Sequence, residues 1–232
     1  MRSVKLLISI VILVVITFSV PSKAMLFQLK WSYNVGESIV NSAFLSKSGT
    51  IIFETRNDNI VLLSSAGKVI KKIKFQSMEV TAVSEGKPLK IIDAGENYIA
   101  FGSKKGLLTL INGEGVPFWE KQLPIAITGI SMDKKDNIGV AGLKGPDRFS
   151  YIIFNKDGKK LWEKDFEGQY SMSVIGDDAK VVAISTEVDE NTGIVYLILE
   201  GQEKQRILFH GPMMTEGSGI DLMLSGNNKY LI

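Results

Sequence analysis

His210, the run Glu187-Val188-Asp189-Glu190-Asn191-Thr192-Gly193 and the turn Gly113-Glu114-Gly115 are where residue type and spacing could do chemistry in this sequence. His210 is the single imidazole, between Phe209 and Gly211-Pro212, so it reads as a strand end entering a turn. A catalytic triad or a histidine-rich metal site needs partners that the sequence does not place beside it. The 187–193 run sets oxygen ligands at every second residue, as a calcium loop does. Gly193, however, comes one place late for that motif, and Ile198 stands where its closing acid belongs, so the run reads as a solvated hairpin tip. Gly113–Gly115 lacks the Lys and Ser/Thr of a phosphate loop. The 232 residues contain no Cys, which removes a thiol nucleophile, a Cys-based zinc site, an iron–sulfur cluster and a lipid-bearing lipoprotein Cys. The expectation is therefore no catalytic residue, no metal ligand and no cofactor.

The elements that carry these residues begin after a distinct leading segment. Arg2 and Lys5 precede Leu6–Val20, 15 residues without a charge, and Pro21-Ser22-Lys23-Ala24 follows. This is the layout of a secretory signal peptide, with the small residues Ser22 and Ala24 before a cut between Ala24 and Met25. The alternative is an uncleaved anchor touching the membrane through residues 4–20, a stretch slightly short of the ~20 apolar residues that span a bilayer. Either way residues 25–232 are expected to be extracytoplasmic, whether secreted, periplasmic or at the cell surface. The whole chain has 27 basic and 25 acidic side chains. Arg2, Lys5 and Lys23 lie in residues 1–24, which hold no acid, so the remainder carries 24 basic against 25 acidic groups, a net charge of −1. Without a basic excess there is no footprint for nucleic acid.

Beyond Met25 no long window holds a helical apolar spacing, whereas short β-branched and aromatic runs bounded by Gly, Asn and Asp recur. A turn before an apolar strand recurs at residues 49, 97, 137, 179 and 228, at intervals of 48, 40, 42 and 49. An apolar strand running into a Gly turn recurs at Gly67, Gly115, Gly158 and Gly201, at intervals of 48, 43 and 43. Polar tips at 56–59, 104–106, 144–150 and 186–193 separate the two landmarks, and a third strand follows each Gly turn. In two units that strand repeats almost literally, Phe118-Trp119-Glu120-Lys121 and Leu161-Trp162-Glu163-Lys164, and Trp31 opens a similar one. Small-residue runs such as 39–45, 127–131 and 171–175 supply a fourth strand. Four antiparallel strands per 40–50 residues make one propeller blade. The predicted fold is all-β: a β-propeller of about four to five four-stranded antiparallel blades over residues 25–232, cut within its fifth repeat, with blade turns at Gly49, Gly67, Gly115, Gly158 and Gly201.

The run Asn155-Lys156-Asp157-Gly158-Lys159-Lys160-Leu161-Trp162 resembles the Asp-Gly-Lys-x-Leu-Trp segment of quinoprotein-like propellers, the PQQ-type repeat. Gly115 to Trp119 keeps the same spacing, and Ala66-Gly67-Lys68-Val69-Ile70 keeps the turn while losing the Trp. The resemblance covers about four units over residues 27–206 and implies that Trp31, Trp119 and Trp162 pack between blades. It also implies, as one alternative, a fragment of a PQQ- and calcium-dependent dehydrogenase. The ligand set of that site cannot be matched here residue by residue, and its disulfide of adjacent cysteines is impossible. The leading expectation is a non-catalytic, extracytoplasmic propeller that binds an unidentified protein or envelope polymer. A membrane-anchored propeller acting as a sensor or assembly factor is the further alternative.

Overall fold

The computed structural model describes residues 31–57, 59–74, 91–145, 147–189, 192–210 and 222. The expected cleavage between Ala24 and Met25, the segment 4–20, and the turn and strand at 228–232 lie outside the described residues. Among the described residues there is no α-helix and none that could cross a membrane. They form four antiparallel sheets, each a simple meander of four consecutive strands. The first holds β1 (Ile39–Leu45), β2 (Thr50–Thr55), β3 (Asn59–Leu63) and β4 (Val69–Lys74). The second holds β5 (Ile92–Ala94), β6 (Tyr98–Gly102), β7 (Leu107–Asn112) and β8 (Pro117–Gln122). β9 (Ala126–Met132), β10 (Ile138–Gly145), β11 (Arg148–Phe154) and β12 (Lys160–Glu167) make the third. β13 (Gln169–Ile175), β14 (Val181–Asp189), β15 (Thr192–Leu199) and β16 (Gln202–His210) make the fourth.

The middle strands are buried on both faces, which is why they read as unbroken apolar runs such as Tyr151-Ile152-Ile153-Phe154 rather than alternating ones. Within β11, Tyr151 and Ile153 face the fourth sheet, and Ile152 and Phe154 face the second. Three cores fill the three seams between neighbouring sheets. Each fully buried Leu, Ile or Phe in them is worth roughly 1.5–3 kcal/mol relative to an exposed one. First strands lie side by side, β1 with β5, β5 with β9 and β9 with β13, so the arrangement is propeller-like. Among the described residues β13 and β1 make no comparable contact.

Two stretches expected to be loop continue as strand. The tips at 144–150 and 186–193 shrink because β10 runs to Gly145, β11 starts at Arg148, β14 runs to Asp189 and β15 starts at Thr192. Backbone pairing carries through these polar residues, with a register shift at Leu143/Gly145 and another at Glu187/Asp189. In the other direction, residues 31–35 carry no strand pairing, although Trp31 was expected to open one.

Candidate functional site

The seams are built from a repeated rung. In each of the first three sheets the fourth strand sets one side chain, four residues after the Gly turn, over the Gly turn of the next sheet. Trp119 on β8 lies on Gly158, and Trp162 on β12 lies on Gly201, where an added Cβ would stand 3.3 and 3.2 Å from the indoles. Lys71 on β4 takes the same place over Gly115, its Cδ 2.6 Å from such a Cβ. Trp31 lies on Gly67 so closely that a Cβ there would collide with its ring. These four turn glycines have φ between +73° and +78°, and Gly49 has +68°, a region that glycine reaches without steric cost. The three indoles are half-buried rather than sealed. The Trp31 N–H donates to the Ser65 carbonyl (3.0 Å) and the Trp119 N–H to the Lys156 carbonyl (2.7 Å), two residues before the respective glycines. The Trp162 Nε1 is buried without such a partner.

The Lys of the Trp-Glu-Lys repeat shares the indole's side of the strand. Lys121 Nζ donates to the Gly158 carbonyl (2.8 Å) and lies over the Phe154 ring. Lys164 Nζ reaches Glu203 of the next sheet at 3.1 Å. The intervening acids turn the other way: Glu120 accepts from Thr109 (3.3 Å) and Glu163 from Ser150 (3.1 Å). Lys160 and Lys144 hold the Glu163 and Asp165 carboxyls, respectively, below their ordinary range.

At one end of the sheets the turns clamp neighbours together. Asp136, at φ +65°, accepts the backbone N–H groups of Asn97 (2.9 Å) and Tyr98 (3.2 Å) from the second sheet. Asp133 accepts from Lys135, Asn137 and, across the next seam, the Ala179 N–H at 3.0 Å. Burial raises the Asp133 carboxyl, and those four hydrogen bonds pull against the rise. Carboxylates committed to backbone donors in this way hold neighbouring turns together.

A second polar group is sealed between sheets three and four. Ser131 and Tyr151 meet Ser173 and Tyr170 through hydroxyl contacts of 2.8–2.9 Å. Burial pushes the Tyr151 phenol up to about 12 and raises Tyr170 as well, so both stay protonated donors.

A recess of about 520 Å³ opens between the first and second sheets, beside Lys71. Its apolar lining comes from Ile73 on β4, Phe101 on β6, Leu107 and Ile111 on β7, and Pro117 on β8. Lys74 and Lys105 stand exposed at its rim with Glu120 and Gln122, and Thr109 lies buried among the lining residues. Lys71 Nζ donates to the Gly115 carbonyl at 2.7 Å, the bond that Lys121 supplies in the next seam. The recess thus coincides with the seam that has Lys instead of Trp at its rung. It was missed in the sequence, although its signal was legible: Lys71 stands four residues after Gly67, where Trp119 and Trp162 follow their own glycines.

The residues first singled out for chemistry are not brought together. His210 ends β16, exposed and opposite Thr192. Glu187 and Asp189 lie on β14, while 190 and 191 fall outside the described residues. Gly113–Gly115 forms the β7–β8 turn, where the Asn112 side chain accepts the N–H groups of Glu114 and Val116. Among the described residues no three acidic, His or Cys side chains gather as a metal site. The chain matches no model of a known protein family and no curated protein.

Proposed function

We propose that this chain is an exported, non-catalytic β-propeller of the PQQ-repeat kind, serving as a binding scaffold for a protein or envelope polymer outside the inner membrane. The observation that carries the reading is the recurring rung, in which a fourth-strand side chain lies over the turn glycine of the next sheet. It joins the Gly-x-x-x-Trp spacing of the PQQ-type repeat to a physical contact between successive sheets. A solenoid or propeller blade cannot bury its faces alone, so such contacts are what make an array stable. The leading segment supports export, and the commitment of Asp133 and Asp136 to backbone donors favours a structural over a catalytic role.

Two measurements test this. A reporter enzyme that is active only after export, fused behind residues 1–24, is expected to be active, and its silence would overturn the location. Purified exported protein titrated with PQQ and calcium is expected to show no saturable change in cofactor absorbance. Stoichiometric uptake would favour the dehydrogenase reading instead.

A further inference from the structure

We propose that the recess between the first and second sheets is a docking site for an aromatic side chain of a partner protein, one flanked in its own sequence by carboxylates. The inference rests on the scaffold reading and names the partner chemistry for it. Its first support is the molecule's own precedent. At Gly158 and Gly201 an indole from this chain lies in the seam over the turn, and at Gly67 Trp31 covers the turn on the outer side of the first sheet, whereas at Gly115 the described residues supply only the thin stem of Lys71. Among the described residues, the seam without a ring at its rung is the one with a recess of about 520 Å³, a size that holds an indole together with a neighbouring side chain.

The lining supplies the second support. Ile73, Phe101, Leu107 and Ile111 give apolar contact on both sheets, the environment in which a buried aromatic anchor carries most of an interface's energy. Charge supplies the third. Lys74 and Lys105 at the rim, with Lys71 fixed on the Gly115 carbonyl, outnumber Glu120, which faces Thr109. A carboxylate beside the inserted ring therefore meets a net positive rim, and a lysine there meets repulsion.

The test uses the full purified chain and a labelled short peptide, Gly-Asp-Trp-Glu-Gly, followed by fluorescence anisotropy. Saturable binding is expected, weakened about tenfold or more when the peptide's Trp becomes Ala, as for an interface anchor. Changing the flanking acids to Lys is expected to weaken it by about tenfold, and the doubly substituted protein Lys74→Glu with Lys105→Glu should reverse that preference. Lys71→Trp, which restores the rung of the neighbouring seams, is expected to block the peptide while leaving the urea midpoint unchanged or higher. The charge-reversed protein changes only exposed rim residues, so it keeps the test valid should Lys71→Trp fold poorly. No saturation, equal binding of the Ala peptide, or indifference to both protein variants would overturn the proposal. Indole-3-acetate competing as tightly as the peptide would also overturn it, by making the recess a small-molecule site.

Discussion

The seam between sheets three and four is built from rings, whereas the seam between sheets one and two is built from branched aliphatics. In the former, Phe149 and Phe166 stack at 5.4 Å between ring centroids, Phe166 meets Tyr196 edge-on at 4.9 Å, and Tyr151 and Tyr170 close the far side with Ser131 and Ser173. Among the described residues the latter contains one aromatic core residue, Phe101, among Leu45, Ile52, Ile60, Leu62, Ile92, Ile99 and Ile111. Its rung is Lys71, and it is where the recess opens. The two seams share one backbone plan, so the difference teaches that the repeat fixes where the sheets meet while side-chain volume at the rung decides whether they seal. A departure from an otherwise consistent pattern is where a function is expected to sit.

The largest expected effect comes from emptying the aromatic seam. Phe149→Ala should cost about 3–5 kcal/mol, as for a fully buried Phe, while Leu107→Ala on the recess wall should cost about 1 kcal/mol because the site is already half open. Urea denaturation of both variants measures the gap, and equal losses would erase the contrast between the seams.

Next comes the sealed hydroxyl group. Tyr151→Phe leaves Ser131 and Ser173 short of a partner and should cost about 1–2 kcal/mol at neutral pH. Its alkaline behaviour sharpens the point. The native phenol holds its proton up to about 12 against an ordinary 10.0, so the unfolded state releases it first. The resulting stability is complete below pH 10 and falls as pH rises towards 12, by about 1.4 kcal/mol per pH unit. The Tyr151→Phe protein should show a shallower alkaline loss than the wild type in the same titration.

A smaller difference should separate the two indoles. Trp119→Phe gives up a hydrogen bond to the Lys156 carbonyl, and Trp162→Phe gives up none, so the first should cost about 1 kcal/mol more. Denaturation midpoints that order the other way would show that ring volume, not the N–H, governs the rung. The smallest effect belongs to the exposed ion pair of Lys144 with Asp165 at 2.9 Å. Asp165→Asn should change stability by about 0.5 kcal/mol or less, and the change should vanish in high salt.

Much of the architecture was legible because it depends on local rules. β-branched runs, Asn and Asp turns and glycines at a fixed offset specify strands and their punctuation, and the 40–50-residue interval groups them into sheets. The sequence also marked Trp119 and Trp162 as equivalent and the unit after Gly67 as the one that keeps the turn but loses the Trp. It did not reveal that the 144–150 and 186–193 tips continue as strands, because their polar residues look like loop until a partner strand offers backbone hydrogen bonds.

What the sequence by itself determined, then, is the meander, the rung positions and the absence of cysteine chemistry, since each follows from residue type and near-neighbour spacing. Only the tertiary structure decided which residues face one another across seams. Gly129 and Gly139, unremarkable small residues in a strand, are needed because Tyr170 and the Tyr151 hydroxyl occupy the space where their Cβ atoms would be. Asp133 turned out to serve the backbone of Ala179, 46 residues away, and Lys71 to stand beside a recess with its Nζ on the Gly115 carbonyl. Those outcomes depend on the separation and registry of whole sheets, which no spacing along one strand encodes.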